Sequence, residues 1–155
     1  MKPMTRLATA DDIHEIVRLR RVLFESLGEL DSAWEAHCAA VLDRAMDDGW
    51  MIVSVVDDPS TTGCLAAAGS AEVQQRLPGP TNPSGQLGYI GTMATDPGFR
   101  RHGMASAILR HLLDELRARG VERIELHATS AAEGLYRGAG FTERRGGLEM
   151  RLQPR

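Results

Sequence analysis

The stretch Thr95-Asp96-Pro97-Gly98-Phe99-Arg100-Arg101-His102-Gly103-Met104-Ala105 has the make-up of an anion site. A β-rich run ends at Thr95, a turn containing Pro97 follows, and a helical pattern opens inside Arg-x-x-Gly-x-Ala. The first turn of a helix carries backbone N–H groups without intrahelical partners, and the helix dipole adds positive potential there. Such a start readily takes a phosphate. Gly103 and Ala105 have little or no side chain, so a diphosphate can approach the backbone closely. Arg100 and Arg101 add charge at the rim. The plainer alternative is a solvated Arg-Arg loop with Gly103 as a simple turn. Neither the Gly-Lys-Ser/Thr of nucleotide hydrolases nor the Gly-x-Gly-x-x-Gly of dinucleotide folds is present.

Groups that can move protons lie elsewhere. Glu72 falls in a run of Ala and Val, on a strand expected beside the one that ends at Thr95. A carboxylate so placed can serve as a general base; the alternative is a strand glutamate facing solvent. His127 closes a later strand and can relay protons, although a structural histidine is the simpler reading. Glu25, on the first helix, can attract a cationic amine or merely sit in water. The five histidines show no His-x-x-x-His spacing and the cysteines no Cys-x-x-Cys, so no metal site is expected. Cys38 and Cys64 are expected as buried free thiols.

The elements that must position these groups follow from pattern. Residues 4–8 suit a short strand, and Thr9 with Asp12 resembles a capping box. Ile13, Ile16, Val17, Leu23, Phe24 and Leu27 keep helical spacing up to Gly28. A second helix is expected after Asp31-Ser32, with Trp34, Cys38, Val41, Leu42, Ala45 and Met46 as its stripe. Strands follow at 50–56 and 64–77, the latter bulged at Gly69. A proline-rich loop spans 78–86, before a strand over 87–95. Residues 103–119 form the clearest helix, with Ala105, Ile108, Leu109, Leu112, Leu113 and Leu116 on one face and Gly120 as its stop. A strand at 121–127, a short helix at 131–137 and strands at 141–144 and 148–152 complete the chain. The order is β-α-α-β-β-β-α-β-α-β-β, an α/β (α+β) chain with a mixed sheet. The unit 87–127 is βαβ, so its two strands should be parallel.

The 155 residues suit a single domain, 1–155, and 43% hydrophobic with 25% charged residues marks a globular chain. No apolar run is long enough to cross a bilayer, so no membrane partner is expected. The opening residues lack the apolar core of a signal peptide, which points to the cytoplasm. A net charge of −3 argues against a nucleic-acid partner and permits a cationic amine. Lys2 is the only lysine, so the cations are otherwise arginines.

Residues 87–141 resemble the core of the GNAT superfamily of N-acetyltransferases. The family pattern is a strand, then R/Q-x-x-G-x-G/A at a helix start, a second strand, and a short helix with a Leu-Tyr…Gly-Phe signature. This chain has Arg100-Arg101-His102-Gly103-Met104-Ala105 and then Leu135-Tyr136-Arg137-Gly138-Ala139-Gly140-Phe141, in that order. The motifs cover about a third of the chain, and the element order extends the likeness to nearly all of it.

The resemblance implies acetyl-CoA as cosubstrate and no metal. The backbone of Arg101, His102, Gly103, Met104, Ala105 and Ser106 would hold the CoA diphosphate, with Arg100 at its rim. Met93 and Thr95 would pair through their main chains with the pantetheine arm, between parallel strands that splay apart. A backbone N–H at Met93 or Ala94 would stabilise the oxyanion formed when a neutral amine attacks the thioester. Tyr136 matches the tyrosine that protonates the leaving thiolate in many members; otherwise it is a core aromatic. Many members carry asparagine seven residues before that tyrosine, where this chain has Thr129, which offers the pantetheine fewer hydrogen-bonding groups. The expected reaction is acetyl transfer to a primary amine, on a small molecule or a protein. A different acyl group, or a CoA-binding regulatory module without turnover, stand as alternatives. Homodimers are common in the superfamily.

Overall fold

The computed structural model describes residues 2–155. A five-stranded sheet runs in chain order: β1 (Thr5–Leu7), β2 (Met51–Asp57), β3 (Leu65–Gln75), β4 (Gln86–Thr95) and β5 (Arg123–Leu126). The first four strands are antiparallel neighbours, and β4 and β5 are parallel. Between them runs α3 (Met104–Ala118), which makes the expected βαβ crossover. Helices α1 (Ile13–Ser26) and α2 (Glu35–Asp47) precede β2, and α4 (Glu133–Gly138) follows β5.

The two faces of the sheet bury two cores. Ile108, Leu109, Leu112, Leu113 and Leu116 of α3 pack with Ile52, Ala67, Ala71 and Ile90 on one face. Each such side chain contributes about 1.5–3 kcal/mol by leaving water. Ile16, Val17 and Leu19 of α1 and Leu42 of α2 pack with Val53, Val55, Ala68 and Ala94 on the other. The end of α3 is set by Gly120 at φ +78°, after which the Val121 N–H bonds back to the Leu116 carbonyl at 3.0 Å. At the other end of the chain, Thr9 and Asp12 cap a short 3₁₀ turn, with the Thr9 N–H donating to the Asp12 carboxylate at 2.8 Å.

Two expectations are corrected. The bulge does not lie on Gly69. Between the pairs Gly69↔Met93 and Ala71↔Ile90, β3 advances two residues and β4 three, so the extra residue belongs to β4, at Gly91-Thr92 opposite Ser70. Gly69 serves another purpose: a Cβ there would stand 2.7 Å from Met93 Sδ and closer still to Ile108 Cγ2, so α3 approaches β3 where no side chain intervenes. The second helix starts at Glu35, after Asp31-Ser32 as expected, with a turn at Ala33-Trp34 between them. The Ala33 N–H donates to the Asp31 carboxylate at 3.0 Å, and Trp34 Nε1 to the Asp31 carbonyl at 2.7 Å. Finally, no strand forms at 141–144 or 148–152. Phe141 turns back onto Tyr136, with ring centroids 6.0 Å apart, and leaves the extended path. Leu148, Met150 and Leu152 alternate as a strand would, but each is at least 87% exposed. Nothing covers that face, and a hairpin with no buried face is marginal at best.

Candidate active site

The four β4–β5 pairs end at Ile90↔Leu126, while β4 continues to Thr95. Beyond that point β4 has β3 on one side and no strand on the other. The Asp96 N–H reaches the Ala66 carbonyl on β3 at 2.8 Å. Main-chain groups alternate along a strand, so Ala94 also turns toward β3, whereas Met93 and Thr95 present theirs to the open side. Of the two expected oxyanion donors, Met93 is the one that faces the gap.

The gap leads to the start of α3. Met93, Ala94, Thr95, Phe99, Arg100, Arg101, Gly103, Met104, Ala105 and Ser106 line a cleft of about 430 Å³, closed by Val22 and Leu23 of α1 and Leu135 of α4. His102 lies outside this lining; its Nδ1–H donates to the Arg100 carbonyl at 2.8 Å and shapes the loop from behind. The loop is held in two left-handed conformations, Arg101 at φ 63° and Gly103 at φ 76°. Such a conformation is unusual for a non-glycine residue. The first intrahelical bond of α3 runs from the Ala107 N–H to the Gly103 carbonyl, so the N–H groups of Met104, Ala105 and Ser106 have no helical partner. A Cβ built on Gly103 meets no protein atom within 4 Å, so the space above the loop is open. The cradle therefore fits a diphosphate.

Arg18 braces this loop. Its guanidinium donates to Glu15 at 2.8 and 2.9 Å, to Asp96 at 2.8 Å and to the Leu65 carbonyl at 3.0 Å. Asp96 also accepts the Gly98 N–H at 3.0 Å. Arg18, followed by that N–H, holds the Asp96 carboxyl below its ordinary range. Burial alone would raise Glu15, but Arg18 and the Leu65 N–H outweigh it and hold that group low as well. The sequence reading missed this brace, because Asp96 lies 78 residues from the Glu15–Arg18 pair and no motif joins them.

Tyr136 and Thr129 lie elsewhere. They line a second cleft of about 590 Å³ with Tyr89, His127, Phe141 and Arg137. Tyr136 is only 6% exposed and packs in the α3 core. Burial, and then the neighbouring Tyr89, push its phenol up, so it stays protonated through neutral pH. Its neighbour Leu135 lines the first cleft, so α4 separates the two spaces by one residue.

Glu72 pairs across the sheet with Tyr89 and lines a third and larger cleft, of about 930 Å³, between the sheet and helices α1 and α2. It is half-buried and accepts a hydrogen bond from Gln74 at 3.2 Å. Tyr89 lines both this cleft and the one holding Tyr136, and its hydroxyl lies 2.7 Å from His127 Nδ1. Burial raises the Tyr89 phenol, and Glu149 and Glu72 add to the effect. His127 itself is exposed, with Nε2 3.2 Å from Glu149. Tyr89 was not singled out from sequence; its place opposite a candidate base depends on strand register. Cys38 and Cys64 are free and half-buried. No group of three or more His, Cys, Asp or Glu side chains that could hold a metal occurs among the described residues.

Residues 13–141 match the family model described as the acetyltransferase (GNAT) family. The chain belongs to the GNAT acetyltransferase family. Its GNAT core is similar to glucosamine 6-phosphate N-acetyltransferase 1 of Oryza sativa subsp. japonica, with 29% identity over 60% of this chain and 54% of that protein. It is also similar to the ribosomal protein bS18 alanine N-acetyltransferase of Escherichia coli (strain K12), with 44% identity over 33% of this chain and 36% of that one. The chain thus spans about half or less of the curated relatives it matches. The GNAT fold agrees with the crystal structure of a predicted acetyltransferase with acetyl-CoA from Clostridium acetobutylicum. The TM-score is 0.85, at 22% identity, covering 97% of this chain and 96% of that one.

Proposed function

We propose that this protein is an acetyl-CoA-dependent N-acetyltransferase that acts as a single domain on a primary amine. One observation carries the reading. The parting of β4 from β5 opens directly onto a helix start with free N–H groups and an open left-handed Gly103. Acetyl-CoA supplies the acetyl group as an activated thioester. Arg101 to Ser106 would hold its diphosphate through backbone N–H groups, with Arg100 at the rim. Met93 and Thr95 would align the pantetheine arm as an added strand. A hydroxyl at Thr129 offers one further contact to that arm.

Glu72 takes a proton from the acceptor amine, directly or through water, since alkyl amines are mostly protonated near neutrality. The freed nitrogen bonds to the acetyl carbon while the Met93 N–H holds the carbonyl oxygen. The carbon–sulfur bond breaks, Tyr136 gives its proton to the departing thiolate, and the surplus proton on the new amide nitrogen passes through water to restore the Tyr136 phenol. A cytoplasmic setting suits two unpaired cysteines. No helix among the described residues is long and apolar enough to cross a membrane.

An amine panel assayed for thiol release from acetyl-CoA tests the reading. Turnover with at least one amine is expected, together with a rise in Tm on adding acetyl-CoA alone. A rise in Tm with no thiol release across small-molecule and peptide amines would instead mark a binding module.

A further inference from the structure

The third cleft contains a cation that the reaction above does not use. Three arginines follow closely on α1, and two have carboxylate partners: Arg18 has Glu15 and Asp96, and Arg21 has Glu35 at 2.6 Å. Arg20 has none within ion-pair distance among the described residues. Its Nη1 donates to the Thr92 hydroxyl, its guanidinium lies 5.0 Å above the Phe24 ring, and its Nε is buried with no partner. The side chain is thus held by one hydroxyl and one aromatic face, beside the Cys38 thiol, and no carboxylate pairs with it among the described residues. Arg20 is half-buried and lines the cleft, where an anionic group of an acceptor can complete it.

Its position gives that anion a purpose. Thr92 is part of the β4 bulge and adjoins Met93, whose N–H faces the gap where the thioester would lie. On the same cleft wall stand Glu72 and Tyr89, and the rim carries Glu29 and Asp31. In a largely apolar lining the cleft therefore has one guanidinium, Arg20, against three carboxylates, Glu29, Asp31 and Glu72, with His37 as its one imidazole. A doubly charged phosphate would meet those carboxylates unfavourably. A single carboxylate matches the single guanidinium, and an ammonium matches Glu72.

We propose that Arg20 is a specificity residue that binds a carboxylate of the acceptor, and that the acceptor is an amino acid or a similar molecule with both an amine and a carboxylate. The proposal rests on the acetyltransferase reading for the amine and on Arg20 for the acid. Arg20 acts by charge-assisted hydrogen bonds from the outer edge of its guanidinium, since Nε is covered.

The test pairs each free amino acid in a panel with the amine lacking its carboxylate, and follows thiol release from acetyl-CoA. Wild type should favour the acid-bearing member by roughly 10–100-fold in kcat/KM, the usual worth of hydrogen bonds to a charged group. Arg20→Gln should bring the ratio close to one through acceptor KM, with the KM for acetyl-CoA unchanged. Arg20→Lys should retain part of the preference. Calorimetry with N-acetyl amino acids and the matched N-acetyl amines provides a second readout that needs no turnover. Preferential binding of the acids by wild type, lost in Arg20→Gln, would uphold the subsite even in a protein that transfers nothing; the transferase reading alone would then fail. Equal binding and equal rates for both members, an unchanged preference in a folded Arg20→Gln, or a stronger preference for amino-sugar phosphates would overturn it.

Discussion

Arg18 on the first helix and Asp96 at the mouth of the loop before α3 are 78 residues apart in sequence and 2.8 Å apart in space. The same guanidinium grips Glu15, which is 6% exposed, and the Leu65 carbonyl at the start of β3. Helix α1, which borders the third cleft, is thereby fastened to the loop proposed to hold CoA.

That brace should be visible in acid. Glu15 and Asp96 both titrate below their ordinary values of 4.5 and 3.8. A carboxylate held low in the fold contributes stability that is complete above its ordinary value and lost as pH falls through its folded one. Wild type should therefore lose stability below about pH 4, and Arg18→Met should flatten that decline. At neutral pH the substitution should cost about 2–3 kcal/mol, less than the roughly 3–5 kcal/mol of a fully buried pair because water reaches part of Arg18. Urea melts at several pH values measure both effects.

Gly69→Ala tests the close approach of α3. The new methyl would press on Ile108 Cγ2 and Met93 Sδ. Overpacking of this kind costs about 1–3 kcal/mol. Because Met93 borders the cleft, acetyl-CoA binding should weaken along with the urea midpoint. An undiminished midpoint would show that α3 shifts freely on the sheet.

Gly103 separates strain from charge. Gly103→Ala places a side chain at φ 76°, costing about 1–2 kcal/mol, yet meets only open space. Acetyl-CoA should still raise its Tm. Gly103→Glu bears the same strain and adds a carboxylate over the diphosphate site, so the Tm rise should vanish. Equal CoA affinity in both variants would move the phosphate site elsewhere.

Tyr136→Phe keeps the ring packed against Phe141 and removes only the hydroxyl, so stability should change little. The turnover number should fall by roughly 10²-fold, the lower end for general acid catalysis, because a thiolate is a fair leaving group. Acetyl-CoA affinity should hardly move. Since burial lifts this phenol above its ordinary 10.0, wild type should show no alkaline loss from Tyr136 below about pH 10. Near-wild-type turnover in the variant would leave Tyr136 as a core aromatic.

Glu72→Gln should lower the turnover number, with acetyl-CoA binding unchanged. Wild-type turnover in the variant would hand the proton to water or to the Tyr89–His127 pair, whose polar atoms lie 2.7 Å apart.

The left-handed loop before α3, the α3 stripe and the parallel β4–β5 pair were legible in the chain, because each is local. Periodicity marks the buried face of one helix, and a glycine at a helix start marks a close approach, without reference to anything distant. The family motif was equally local, since Arg100 to Ala105 and Leu135 to Phe141 are short contiguous runs. Tertiary structure alone decided the rest. Register put the bulge on β4 at Gly91-Thr92 and set Tyr89 opposite Glu72. Packing turned Gly69 from an expected bulge into a seat for α3. The alternating Leu148, Met150 and Leu152 stayed out of the sheet, because a strand pattern gains stability only where another surface covers it. Glu15 stands one helical turn before Arg18, so that pair is local. Asp96 and Glu35 are not, and only the folded chain brings them to Arg18 and Arg21 and leaves Arg20 without a carboxylate, because such ion pairs join separate elements.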